Sequence, residues 1–182
     1  MVETGADRPD FAERISRRAD VAADAWAATL EDMHAIAEDL EDEGWETLAI
    51  QAGDTAPEPP EAGPEGRFGL SYVVPGDDAE RFEELFEPGA FPAYEVHRAR
   101  AAGRLFLVTT LLDPDRKVAI LLAGNVELRH APDCVAAAVE HDEMYTHVQT
   151  LDGTHVGSFR HEEYEQFFPD PDRLMNWATA EE

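Results

Sequence analysis

Between Asp10 and Glu43 the chain contains neither glycine nor proline, and Phe11, Ile15, Ala22, Trp26, Leu30, Met33, Ala37 and Leu40 recur every three or four residues. That period belongs to one face of an α-helix, so the pattern predicts a single long amphipathic helix over residues 10–43. Pro9 suits its first turn and Gly44 its end. At 1.5 Å per residue the helix would run roughly 50 Å, whereas a compact globule of this chain length is only about 40 Å across. The helix therefore lies on its own sheet with frayed ends, breaks near Ala22–Ala28, or protrudes and packs on another subunit. In the last case Trp26, Leu30 and Met33 are the expected contact residues of a homo-oligomer or of a complex with a protein partner.

Downstream, the pattern shifts from helical to strand period. A strand over Trp45–Ala52 precedes Gly53–Gly66, whose four prolines predict a mobile loop over 53–66. Phe68–Val74 is the next strand, and Asp77 is placed to cap a short helix with Phe82, Leu85 and Phe86 turned inward. Ala93–Ala101, Arg104–Leu112 and Lys117–Leu128 follow as strands joined by tight turns. The second and third are apolar on both faces, which puts them at the centre of a covered sheet. Pro132 opens a helix reaching about Asp142, and an appended hairpin over residues 144–160 turns at Asp152-Gly153. Tyr164, Phe167, Phe168, Leu174 and Trp177 then serve as lids on the core. The expectation is a single α+β domain, a mainly antiparallel sheet of five to seven strands flanked by helices. With 43 % hydrophobic residues, 182 residues suffice for one core.

Forty acidic residues face fourteen basic ones, for a net charge of -26, and Lys117 is the only lysine. Carboxylates hold water and cations, and the missing lysine stems remove apolar surface, so the bias points to a halophile's cytoplasm. Nucleic acid is excluded as a partner by charge. The only basic clusters are Arg14, Arg17 and Arg18, and Arg98, Arg100 and Arg104, each diluted by acids. The longest apolar run, Val118–Ala123, is too short for a membrane span, and the first residues lack the pattern of an export signal. Cys134, the single cysteine, sits among alanines and valine as a packed thiol.

The order helix, two strands, helix, three strands, helix over Asp10 to Asp142 resembles the roadblock, profilin-like and PAS or GAF families. That resemblance implies a five-stranded sheet ordered 2-1-5-4-3 and either a dimerising platform or a small-molecule receptor. Such a receptor's pocket would be lined by Phe82, Phe86 and Tyr94. In its wording, Gly69-Leu70-Ser71-Tyr72-Val73-Val74-Pro75-Gly76-Asp77 and Thr150-Leu151-Asp152-Gly153-Thr154, followed by Gly157-Ser158-Phe159-Arg160-His161, resembles an uncharacterised family confined to halophilic archaea. No activity comes with that resemblance.

The one functional-looking bias is a run of histidines: His130, His141, His147, His155 and His161 fall within a short stretch. Imidazoles beside carboxylates suit a divalent metal, so His147, His155, His161 and Glu165 are the candidate ligands. His161 and Glu165 would stand one helical turn apart, as in the zinc-protease motif but with glutamate replacing its second histidine. A two-residue turn at Asp152-Gly153 would put His147 and His155 on opposite faces of the hairpin; including Thr154 in the loop would put them on one face. No phosphate-binding glycine loop, serine elbow or dinucleotide fingerprint is present in the sequence. The expectation is thus a non-catalytic interaction or sensor-like module without a cofactor, with a metal protein as the alternative. Because the Debye length shrinks from about 8 Å at physiological salt to about 3 Å at 1 M, self-repulsion should be silenced only in brine. Circular dichroism should therefore be native-like in molar KCl and lost in dilute buffer.

Overall fold

The computed structural model describes residues 7–61, 68–87 and 89–176, with side chains from Phe11 onward. The first helix, α1 (Asp7–Asp42), is unbroken over 36 residues, about 54 Å at the standard rise. The alanine-rich stretch does not interrupt it, since alanine is the strongest helix former. Gly44, at φ +90°, turns the chain out of the helix, and β1 (Glu46–Gln51) begins at once.

Eight strands follow, in two four-stranded sheets rather than one sheet of five to seven. The first has the order β1-β6-β5-β4, with β4 spanning Ala93–Ala101, β5 Arg104–Asp113 and β6 Val118–Glu127. The second has the order β2-β3-β7-β8, with β2 spanning Asp54–Glu58, β3 Gly69–Val73, β7 Met144–Gln149 and β8 His155–His161. In the expected 2-1-5-4-3 order, four members fall as anticipated. The strand numbered 2 there, β3, leaves for the other sheet. Two pairings are parallel, β1 with β6 and β3 with β7; the rest are antiparallel.

The proline-rich segment expected to be a loop supplies β2. A strand tolerates Pro57 there because β2 is an edge, where a missing N–H costs no ladder bond. Residues 62–67 lie outside the described residues, as does Trp177. The 144–160 hairpin is not an appendage: β7 and β8 make half of the second sheet.

β5 and β6 are buried along nearly their whole length, on both faces. Leu105, Leu107 and Leu111, with Ile120 and Leu122, face a large core shared with Leu70, Tyr72, Val148, Phe82 and Val135. That core also takes in the inner sides of α2 (Gly76–Phe86) and α3 (Pro132–His141). Val108, Ala119, Leu121 and Ala123 face the other way, against Met33 and Ala37 of α1. The two alanines of β6 let the helix come close. Helix α2 begins one residue before Asp77, with Pro75 at the cap position and no side-chain cap bond. Phe82 stacks on Phe86 and Phe86 on Phe91, with centroids 4.8 and 5.4 Å apart, so these aromatics fill the space where a receptor pocket was expected.

Gly69 sits where β3 meets β7. A Cβ there would lie 2.1 Å from the Tyr145 carbonyl oxygen, at a φ of +151°. Backbone on the far side cannot move aside cheaply, so Gly69→Ala should cost about 1–3 kcal/mol or more in urea denaturation. Gly76→Ala, with nothing within 4 Å of the added carbon, should stay within about 0.5 kcal/mol of the wild type.

Candidate functional site

Strand alternation sorts the histidines before any chemistry is considered. On β7, Met144, Thr146 and Val148 face the core, and Tyr145, His147 and Gln149 face outward. The loop between β7 and β8 takes neither of the two anticipated forms. Gly153 N–H donates to Thr150 O and Thr150 N–H to Thr154 O, both at 3.0 Å, with Gly153 at φ +87°. This is a turn of three residues closed by a left-handed glycine. The Asp152 carboxylate accepts from the Thr150 hydroxyl and, at 3.1 Å, from the Thr154 N–H. A bulge then follows at Val148/Gln149: Gln149 opposes His155, but Val148 opposes Gly157. The extra residue, Val156, restores His155 and Ser158 to the outer face together.

The result is a serine held between two imidazoles. Ser158 Oγ lies 2.6 Å from His147 Nδ1 and 2.7 Å from His155 Nε2. A hydroxyl has one proton, so it donates to one ring and accepts from the other, which locks the two imidazoles into complementary roles. His147 is buried and stacks parallel to Tyr145 at 5.8 Å, whereas His155 is exposed. Ser158 is the member that sequence reasoning missed. Only the bulge reveals it, and a bulge leaves no reliable residue signature.

His161 belongs to the opposite face. It opposes Met144, points into the core, and shares a 2.6 Å hydrogen bond between Nε2 and Thr146 Oγ1. Tyr94, Phe167 and Phe159 surround it, with ring centroids at 4.4, 4.6 and 4.8 Å. The Tyr94 hydroxyl accepts the Glu163 N–H at 3.0 Å, tying β4 to the segment that carries Phe167. Burial, with the nearby His147 as a lesser cause, lowers the His161 pKa to about 3. Among the described residues its Nδ1 has no hydrogen-bond partner.

The four expected metal ligands are therefore not brought together. His147 and His155 share the outer face of the second sheet, His161 is on its inner face, and Glu165 lies exposed on a 3-10 turn, Tyr164–Gln166. His161 and Glu165 do not stand on one helix, because His161 ends β8. Among the described residues no three His, Cys, Asp or Glu side chains cluster as a metal site.

The expected contact residues of α1 are also placed differently. Met33 is 1 % exposed and Trp26 and Leu30 are partly buried, all against the first sheet. Trp26 packs on Phe106 with centroids 6.5 Å apart. The apolar residues that leave the sheet lie nearer the amino end: Phe11, Ile15 and Val21 are 66, 55 and 48 % exposed. Among them stand Arg14, Arg17 and Arg18, and Arg17 pairs with Glu13 at 3.7 Å. Cys134 is buried, its thiol pushed up to about 12 by desolvation, as expected of a packed residue. Among the described residues no helix is long and apolar enough to cross a membrane.

The His161 environment has a pH consequence. The native state keeps the ring neutral down to about pH 3, whereas the unfolded chain takes a proton near pH 6.5. The unfolded state thus binds more protons as pH falls below 6.5, and stability drops by up to about 1.4 kcal/mol per pH unit. Between pH 7 and pH 5 the wild type should lose about 2 kcal/mol more in urea denaturation than His161→Phe, which carries no such proton.

No curated protein matches the chain, and no solved structure matches it. A model described as a family of unknown function, DUF7529, matches residues 12–169, which is most of the chain and takes in both sheets, so the protein belongs to that family.

Proposed function

We propose that the chain is a non-catalytic interaction module that pairs with a second copy of itself through the first turns of α1. One observation carries this reading: the apolar stripe of α1 continues past its own sheet, leaving Phe11 and Ile15 exposed, with Val21 exposed on a neighbouring face within about three turns. Fully burying a large aliphatic or aromatic side chain contributes about 1.5–3 kcal/mol, so three such residues covered together are enough to bias association. A second copy also fits by charge. Arg14, Arg17 and Arg18 stand on the protruding turns, and a chain of net charge -26 offers carboxylates on almost any other surface. The same charge, with its single lysine, supports a setting in the salty cytoplasm of a halophile, where screening lets two such acidic bodies approach.

The contact residues in this reading are those of the overhang, with Trp26, Leu30 and Met33 acting as the anchor that holds α1 to the first sheet. Light scattering in molar KCl should give a dimer, and Ile15→Asp should shift the equilibrium to monomer without changing the far-ultraviolet spectrum. A wild-type monomer at high concentration, insensitive to Ile15→Asp, would remove the reading.

A further inference from the structure

The histidine run leaves one arrangement that the α1 overhang does not use: two imidazole nitrogens turned toward a single point. His147 Nδ1 and His155 Nε2 lie 2.6 and 2.7 Å from Ser158 Oγ. Both reach the same oxygen, so they stand at most about 5 Å apart, whereas two imidazoles on one metal ion, at about 2.0–2.1 Å each, stand about 3–4 Å apart. The ring centroids are 6.2 Å apart, with planes inclined at 60°. His155 is the exposed ring, at the first position of β8. An inward movement of about 1 Å by that ring brings the pair to coordinating distance while the Ser158 hydroxyl turns aside.

The rest of the outer face holds one member of the pair in place. The buried His147 ring stacks on Tyr145 with planes 5° apart, and the Tyr145 hydroxyl donates in turn to Glu143 Oε1 at 3.3 Å. A ligand oriented by its neighbours loses little freedom when an ion arrives. Gln149 opposes His155 across the hairpin and shares the outer face with His147, which brings an amide oxygen to the same side. The protons also balance. The hydroxyl now donates to one ring and accepts from the N–H of the other. For an ion to take both facing nitrogens, that second ring moves its proton to its other nitrogen, and both rings stay neutral. Among the described residues no further His, Cys, Asp or Glu completes a group of three here, so an ion on this pair keeps open positions and exchanges rather than holding the fold together.

We propose that His147 and His155 form an exchangeable site for a divalent late transition-metal ion, copper(II) above all, with Gln149 and water as the remaining donors. A mixture of imidazole nitrogen and neutral oxygen suits copper(II) or nickel(II), and copper(II) heads the affinity order of the divalent ions. The net charge of -26 draws every cation to the surface. Its carboxylates serve magnesium and calcium as well as they serve copper, so the discrimination rests on the two imidazoles. His161, on the inner face, and Glu165, on a separate turn, take no part. The site shares no residue with the α1 surface, and either can fail without the other.

The experiment titrates the full chain, free of any affinity tag, with copper(II) chloride in molar KCl and excess magnesium chloride, followed by calorimetry and by electron paramagnetic resonance. One equivalent should bind, with two nitrogen couplings in the spectrum. His155→Gln, at an exposed position, should weaken copper at least tenfold and remove one coupling, whereas His130→Gln, at another exposed histidine, should change neither. Ser158→Ala takes away the hydroxyl between the rings and should keep both couplings and an affinity within threefold of the wild type. His147 is buried, so if His147→Gln does not fold, His155→Gln and the coupling count carry the test. Copper displaced by the magnesium, fewer than two nitrogens in the spectrum, His155→Gln binding as the wild type does, or Ser158→Ala losing the ion would each overturn the proposal.

Discussion

The structure depends on keeping two adjacent strands dry on both sides. β5 and β6 are buried at almost every position, and no single layer can cover both faces of such a pair. The chain meets that demand by laying α1 across one face and a second sheet with α2 and α3 across the other. Everything else follows from this division. The helix must be long because it is one whole layer. The second sheet must exist because helices α2 and α3 alone are too short to roof the other side.

Much of this could be read in the residues. The doubly apolar runs of β5 and β6, the helical period from Phe11 to Leu40, and the breaks at Gly44, Ala102-Gly103 and Pro132 each have a local physical cause that acts wherever the segment is placed. Partner choice is different. Nothing local tells β3 whether to lie beside β1 or beside β7, since both pairings satisfy its Leu70 and Tyr72. The choice depends on the turn at Ala52–Gly53 and on Gly69, whose bare backbone admits Tyr145 at close range. Likewise Pro57 argues against a strand in general and is harmless only because β2 has an open side.

The site was less legible than the fold, and for a definable reason. A histidine's neighbours across a hairpin follow from the register, and the register here is reset twice, by the three-residue turn and by the extra residue Val156. Each shift moves side chains through the sheet plane, so spacing alone leaves open which faces His147, His155 and His161 take. The length of the α1 stripe left three outcomes open, and the unbroken helix with Phe11 and Ile15 exposed rules out the break near Ala22–Ala28. Which end would overhang depends on where β5 and β6 cross the helix, which is a tertiary fact.

The two parallel pairings also bear on how the chain reaches its final form. Glu46 must find Val118, and Leu70 must find Thr146, so β1 and β3 emerge from the ribosome long before the strands that complete them. Closing such distant pairs is slow, and in the interval bare strand edges are open to other chains.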